Sequence, residues 1–163
     1  MTESSLLIRP FKEGDEEALV SLWNMCKLTV PWNNPYKDIA RKLKVQAELF
    51  LVGYLEDKLI ASVMAGYDGH RGWINYFAVH PDFQARGYGK QLMDNVENRL
   101  RELGCPKINC RFEKGTIGFS HSIKNLALLR KSASTWVKGL KMISDFYPIQ
   151  RYKTSIFIQI NNA

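Results

Sequence analysis

WINYFAVHPDFQARGYGKQLMDNVENRLREL, from Trp73 to Leu103, is the stretch around which this chain is organised. Trp73 to Val79 is an apolar run of strand length, and His80-Pro81-Asp82 ends it because Pro81 has no N–H to give to a ladder. From Tyr88 to Leu103, Leu92, Met93, Val96 and Leu100 recur at helical spacing, while Lys90, Asp94, Asn95, Arg99 and Arg101 fall on the other face. Gly104 stops this helix and Pro106 follows it. Between strand and helix lies Gln84-Ala-Arg86-Gly87-Tyr-Gly89, whose glycines leave backbone N–H groups uncovered at the positive end of the helix dipole. That is a place to hold a phosphate. The loop lacks the Gly-Lys-Ser/Thr of a triphosphate-binding loop and the three spaced glycines of a dinucleotide fingerprint. Taken alone, it reads equally as a tight turn with no ligand.

Working outward, Leu6 to Phe11 alternates enough for a first strand, and a helix starts at Gly14-Asp15 with Asp15, Glu16 and Glu17 in its first turn. Pro31 and Pro35 punctuate a loop, after which Asp38 to Glu48 reads as a second helix with Ile39, Leu43 and Ala47 on its apolar face. Leu49 to Leu55 and Lys58 to Gly66, separated by Glu56-Asp57, give a hairpin signal. A turn-rich loop, Tyr67 to Gly72, leads to the central strand, and Lys107 to Cys110 begins another. The order β-α-α-β-β-β-α-β is that of an α/β domain, a mixed central sheet flanked by helices.

The chain has 163 residues, enough for one domain with a sizeable core, and 45% hydrophobic and 24% charged residues, as in an ordinary globular protein. No apolar run reaches the roughly 18 residues of a membrane span, and the N-terminus carries no secretory pattern. Cys26, Cys105 and Cys110 have no metal-ligand spacing, so no metal site is expected and the thiols read as reduced, in a cytoplasmic protein. The net charge of +7 is unevenly placed: residues 1–109 hold 14 basic and 14 acidic residues, and residues 110–163 hold 9 basic against only Glu113 and Asp145.

Val79-His-Pro-Asp-Phe-Gln84-Ala-Arg86-Gly87-Tyr-Gly89, behind that order of elements, resembles the cofactor motif of the GNAT N-acetyltransferases. Pro31-Trp-Asn-Asn-Pro35, Phe50-Leu-Val52, Gly66 to Gly72 and Gly104-Cys-Pro-Lys-Ile108 are similar to the YpeA-like bacterial subgroup, and the likeness spans about residues 6–109. The resemblance implies acetyl-CoA as cosubstrate. Backbone amides of Gln84, Ala85, Arg86, Gly87, Tyr88, Gly89 and Lys90 would hold the pyrophosphate, with Arg86 adding charge. The strand carrying Phe77, Ala78 and Val79 would lie beside the pantetheine arm as an added strand does, and an N–H near Val79 would face the thioester carbonyl. An acceptor amine with a free pKa of about 10.4 must lose a proton before attacking. Many members of the family place a glutamate base near the start of the central strand; here Trp73, Ile74 and Asn75 stand there. Asp68 and His70 are the substitutes of suitable chemistry, a turn-forming aspartate and a surface histidine being the plainer reading of both. Tyr76 reads as a sheet aromatic.

After Asn109 the likeness ends, and residues 110–163 form a divergent basic segment in place of the family's last strands and tyrosine-bearing helix. Rebuilding each codon from the last base of one and the first two of the next permits Leu-Gln-Val-Arg-Lys over Cys110 to Lys114 and Gln-Lys-Leu-Gly-Phe-Ile over Lys124 to Leu129. The same shift permits Ser-Ile-Asn-Leu-Gly-Lys-Arg-Leu-Glu over Ser132 to Lys141, close to a YpeA-like C-terminus. A one-base loss near residue 110 accounts for all three and for the abrupt change in charge; a divergent natural tail is the alternative. Within the tail, Lys124 to Leu140 reads as an amphipathic helix and Thr154 to Ile160 as a strand able to fill a vacant sheet edge, in the same chain or as a homodimer. Tyr147 and Tyr152 are poor replacements for the missing acid.

The expected function is acetyl transfer to a primary amine, of a small molecule or a peptide. The rival is a non-catalytic acyl-CoA-binding or interaction protein. A nucleic-acid role for the basic tail with Trp136, Phe146 and Tyr152 is disfavoured, because no recognition motif accompanies it.

Overall fold

A computed structural model describes residues 6–111 and 155–159, with side chains for 6–109. Six strands form one sheet in sequential order: β1 (Leu7–Pro10), β2 (Phe50–Leu55), β3 (Lys58–Tyr67), β4 (Gly72–Val79), β5 (Lys107–Arg111) and β6 (Ser155–Gln159). All neighbours are antiparallel except β4 and β5, which are parallel and joined through helix α3 (Tyr88–Glu102). Helices α1 (Glu16–Met25) and α2 (Pro35–Lys42) lie between β1 and β2 in sequence. The sheet is therefore mixed with helices against it, as the periodicities imply.

Alternation along the strands splits the core in two. Leu51, Ile60, Val63, Ala65, Ile74 and Ile108 pack with Leu92, Met93, Val96 and Leu100 of α3. Phe50, Val52, Leu59, Met64 and Ala78 pack instead with Leu19, Leu22 and Trp23 of α1 and Ile39 of α2. Phe11 stacks on Phe50 at 4.8 Å between centroids, closing the end of that second layer.

The entry to α1 is fixed by charge. Asp15, 5% exposed, accepts two hydrogen bonds from Arg9 at 2.7 and 2.8 Å, one from the Lys12 N–H at 2.8 Å and one from the Tyr54 hydroxyl at 2.7 Å. Burial pushes its carboxyl upward, but the donors of Arg9, Lys12 and Tyr54 outweigh it and leave the group below 3.8.

The second helix differs from its expected span of Asp38 to Glu48. It begins at Pro35, because the Asn34 side chain caps the Lys37 N–H at 3.2 Å and Pro35 suits the first turn. It ends at Lys42, because Gln46 adopts a left-handed conformation (φ 51°) and its side chain binds the Tyr67 N–H at 2.8 Å and the Tyr67 carbonyl at 2.9 Å. A strand-end tie thus overrides helical propensity, and Leu43 is exposed instead of buried. The strand-like segment at Thr154 to Ile160 forms β6 and takes the outer edge of β5 within the chain. The expected tail helix from Lys124 to Leu140, and Tyr147 and Tyr152, lie outside the described residues.

Two outcomes are expected. Asp15→Ala should lower stability by about 2–3 kcal/mol in urea denaturation, since Arg9 and Tyr54 lose a shared acceptor. Because Asp15 has a depressed folded pKa, its contribution is complete above the ordinary 3.8 and is lost as pH falls through the folded value; the variant should flatten the acid limb of a stability–pH curve there. Gly72→Ala should cost about 1–3 kcal/mol by the same measurement, because a Cβ at Gly72 would stand 3.0 Å from both Cys105 Sγ and Leu100 Cδ1, side chains that are fully buried.

Candidate active site

The site is built on the edge of β4. Residues Gly72, Trp73 and Ile74 pair with Ile108, Asn109 and Cys110 of β5, and the ladder ends there, although β4 runs on to Val79. On the other side β3 accompanies β4 throughout, with one irregularity: Ser62 faces Ala78 and Met64 faces Asn75, so Val63 alone opposes Tyr76 and Phe77. This is a β-bulge, and Tyr76 carries it in a left-handed conformation (φ 47°). Beyond the bulge the His80 N–H donates to the Ile60 carbonyl at 2.7 Å, so strand alternation turns the Val79 N–H to the opposite edge, the one β5 has left. The Val79 carbonyl accepts from Gln84 Nε2 at 3.0 Å and from the Cys26 thiol at 3.4 Å. Burial pushes the Cys26 thiol up to about 11, so it stays protonated.

At the C-terminal end of β4 the chain makes a short helical turn, Pro81–Phe83, and enters the glycine loop. Ala85 (φ 60°) and Gly87 (φ 85°) are both left-handed. Gly87 is the N-cap residue of α3, no side chain caps that helix, and no acidic residue occupies its first turn. The first helical bond runs from the Gln91 N–H to the Gly87 carbonyl at 3.1 Å, so the N–H groups of Tyr88, Gly89 and Lys90 stand ahead of it. An ideal Cβ on Gly89 would come to 3.6 Å from Phe77 and Val79, which sets the helix end directly on the strand end. Phe83 lies 5.4 Å from the Arg86 guanidinium and 5.1 Å from Lys58 Nζ, and so holds two cations beside the loop. Lys58 arrives from the start of β3; pairing of β3 with β4 brings it near, and no local motif marks it.

Phe77, Ala78, Val79, Gln84, Ala85, Arg86, Gly87, Tyr88, Gly89 and Lys90 are thus gathered at one end of β4. Asp68 and His70 are not among them. They lie in the turn before Gly72, at the other end of an eight-residue strand and about 23 Å along it from Val79. The exposed Asp68 accepts from the Arg71 N–H at 2.6 Å, the Trp73 indole at 2.8 Å and the His70 N–H at 2.9 Å. These donors, the Arg71 N–H foremost, hold its pKa at about 2, so the carboxylate is engaged in closing the turn.

A second polar group lies on the opposite face of the sheet from α3. The Tyr76 hydroxyl donates to Asp38 Oδ2 at 2.7 Å and accepts from Asn33 Nδ2 at 2.8 Å, and Asp38 Oδ1 pairs with Arg41 at 2.8 Å. Burial raises the Asp38 carboxyl, but the hydrogen bonds from Tyr76, Asn33 and Arg41 outweigh it and leave it below 3.8. Sequence reading gave Tyr76 only a packing role and passed over Asp38 and Asn33. Their contacts span a loop and 38 or 43 positions of sequence, where no spacing rule reaches.

The sequence profile of the acetyltransferase (GNAT) family matches residues 16–119. Acetyltransferases of Yersinia enterocolitica and Pectobacterium atrosepticum are each 48% identical over 102 residues, 63% of this chain and 72% of the relative. The ribosomal-protein-S18-alanine N-acetyltransferase of Escherichia coli has the same fold, with a TM-score of 0.63 at 18% identity over 98% of this chain and 96% of that one. An N-acetylglutamate synthase from Neisseria gonorrhoeae, complexed with coenzyme A and L-arginine, superposes with a TM-score of 0.65 at 16% identity, over 98% of this chain and 34% of that one. The chain belongs to the GNAT acetyltransferase family, and its enzyme class is acyltransferase. Among the described residues no helix is long and apolar enough to cross a membrane, and no cluster of three metal-binding side chains occurs.

Ala85→Gly tests the loop strain: releasing a left-handed alanine should raise the unfolding free energy measured in urea by up to about 1 kcal/mol, despite the entropy glycine adds to the unfolded chain.

Proposed function

We propose that this chain binds acetyl-CoA at the end of β4 and that its reaction is acetyl transfer to a primary amine. The observation that carries the reading is the conjunction of an uncapped α3 N-terminus behind left-handed Ala85 and Gly87 with a β4 edge that β5 leaves after Ile74. The pyrophosphate would take the N–H groups of the Gln84–Lys90 loop, with Arg86 and Lys58 beside it. The pantetheine arm would run along Phe77 to Val79, and the Val79 N–H would stabilise the tetrahedral oxyanion. Attack by the neutral amine on the thioester carbonyl forms the C–N bond, collapse breaks the C–S bond, and the coenzyme leaves as thiolate. The amine proton must go to a base. Asp68, with a pKa of about 2, and His70 both stand in the turn about 23 Å along β4 from Val79, so neither suits that role at the thioester end.

The acceptor is an amine of a small molecule or a peptide, and the cytoplasmic location rests on thiols read as reduced. The acetyltransferase core is residues 6–109. For residues 110–163 the proposal is translation in a shifted frame, because the 102 aligned residues leave over a quarter of each relative unmatched. Sequencing the source DNA decides this: an intact frame through this tail overturns it.

Acetyl-CoA at a hundred times its Kd should stabilise the protein by about 2.7 kcal/mol, roughly 5–10 °C in melting temperature. An unchanged melting temperature would sink the donor assignment. Gly87→Ala, with a Cβ forced into φ 85°, should weaken acetyl-CoA about tenfold in calorimetry as the loop relaxes its strain by turning N–H groups away. Release of free CoA thiol over an amine panel, run beside a chain with the frame restored, separates an enzyme from a binder. Release by neither chain makes it a binder.

A further inference from the structure

The β4 bulge is held in a conformation that costs energy, and a specific set of contacts holds it. Tyr76 is the residue with the Cβ penalty, at φ 47°, and it sits where one residue of β3 faces two of β4. Its phenol is fixed between Asp38 of α2 and Asn33 of the preceding loop, at 2.7 and 2.8 Å. Its ring stacks on Trp23 of α1 at 4.1 Å between centroids. The Trp23 indole donates to Ser62 Oγ at 2.9 Å, and that hydroxyl donates to the Tyr76 carbonyl at 3.2 Å. Both ends of the residue, hydroxyl and carbonyl, are therefore tied to the layer carrying α1 and α2, and the ties close on one another through Trp23.

We infer that Tyr76 is a positioning residue for the donor site: its phenol, latched to Asp38 and Asn33, keeps the strained bulge that aims the Phe77–Val79 edge at the thioester. The inference rests on the acetyl-CoA reading above. Its physical content is parity. Ile74 and Phe77 both face α3 because the bulge inserts one residue between them, and Val79 follows Phe77 onto that face. A regular strand would instead have put Ile74, Tyr76 and Ala78 on one face and turned the next N–H groups over. A latch released at Asp38 removes what opposes that relaxation. It also makes α2 and the loop before it part of the donor site without touching the donor.

Calorimetry with acetyl-CoA on the whole chain tests this, at a temperature where circular dichroism shows each variant folded. Tyr76→Phe keeps the ring on Trp23 and removes only the latch; it should raise the Kd roughly three- to tenfold, the range of one net hydrogen bond. Asn33→Ala, which leaves Tyr76 in place, should act in the same direction. Tyr76→Phe combined with Asp38→Ala should be no worse than the weaker-binding single variant, because the two remove one interaction. Melting temperatures without ligand separate the alternatives: a latch that only stabilises the fold lowers them and leaves the Kd of the folded protein unchanged. That result, with the unaltered chain binding normally, overturns the latch alone. No binding by the unaltered chain overturns the donor reading and the latch with it.

Discussion

Strand β4 can offer an edge to a ligand only because β3 holds its other edge from one end to the other. Among the described residues β5 follows β4 for three residues and then parts from it, so the second half of β4 is paired on the β3 side alone. The parting is possible because β5 is parallel to β4 and reaches it through α3, so its position is set by the helix and not by a hairpin turn. The same helix delivers its N-terminal amides to the end of the strand it flanks. One connection, β4 to α3 to β5, thus parts the two strands and sets an uncapped helix N-terminus beside the end of β4.

The helices on the other face hold what the strand cannot hold for itself. Asp15, with Arg9, Lys12 and Tyr54, fixes how α1 leaves β1 and ties that corner to β2. Trp23 then projects from α1 under Tyr76. The charged corner and the strained bulge are connected through one helix, so the buried ion pair contributes placement as well as stability. Its own net energy is modest once desolvation is subtracted.

Much of this was legible in the sequence, and the rest was hidden for definite reasons. The four buried apolar positions of α3 and the stops at Pro81 and Gly104 are local and repeat with a fixed period. The β4 bulge has no such mark: Trp73 to Val79 is apolar or aromatic apart from Asn75, so a change of parity within it leaves the pattern unaltered. The end of α2 was missed because Gln46 answers to Tyr67, 21 positions away. Lys58 reaches the loop through strand pairing, and Asp38 and Asn33 reach Tyr76 through the packing of α2 and its preceding loop on the sheet, so neither is marked locally. Asp68 was legible as a chemical type and misplaced as a location, since a four-residue turn at the far end of β4 cannot reach the near one.

The donor side of the site, as proposed, is made largely of main chain, and that limits what divergence elsewhere can do to it. N–H groups of a left-handed loop and a strand edge depend on φ, ψ and register, and these are fixed by β3, α3 and the Tyr76 contacts, all within residues 6–109. Proton handling is different in kind, because it needs side chains of suitable pKa at the acceptor amine and the leaving thiolate. Two carboxylates of the described residues are already committed: Asp68 to its turn, and Asp38 to Tyr76, Asn33 and Arg41. Donor binding, as proposed, and proton handling therefore ask different things of the chain: the first needs main-chain geometry set within residues 6–109, and the second needs side chains of suitable pKa.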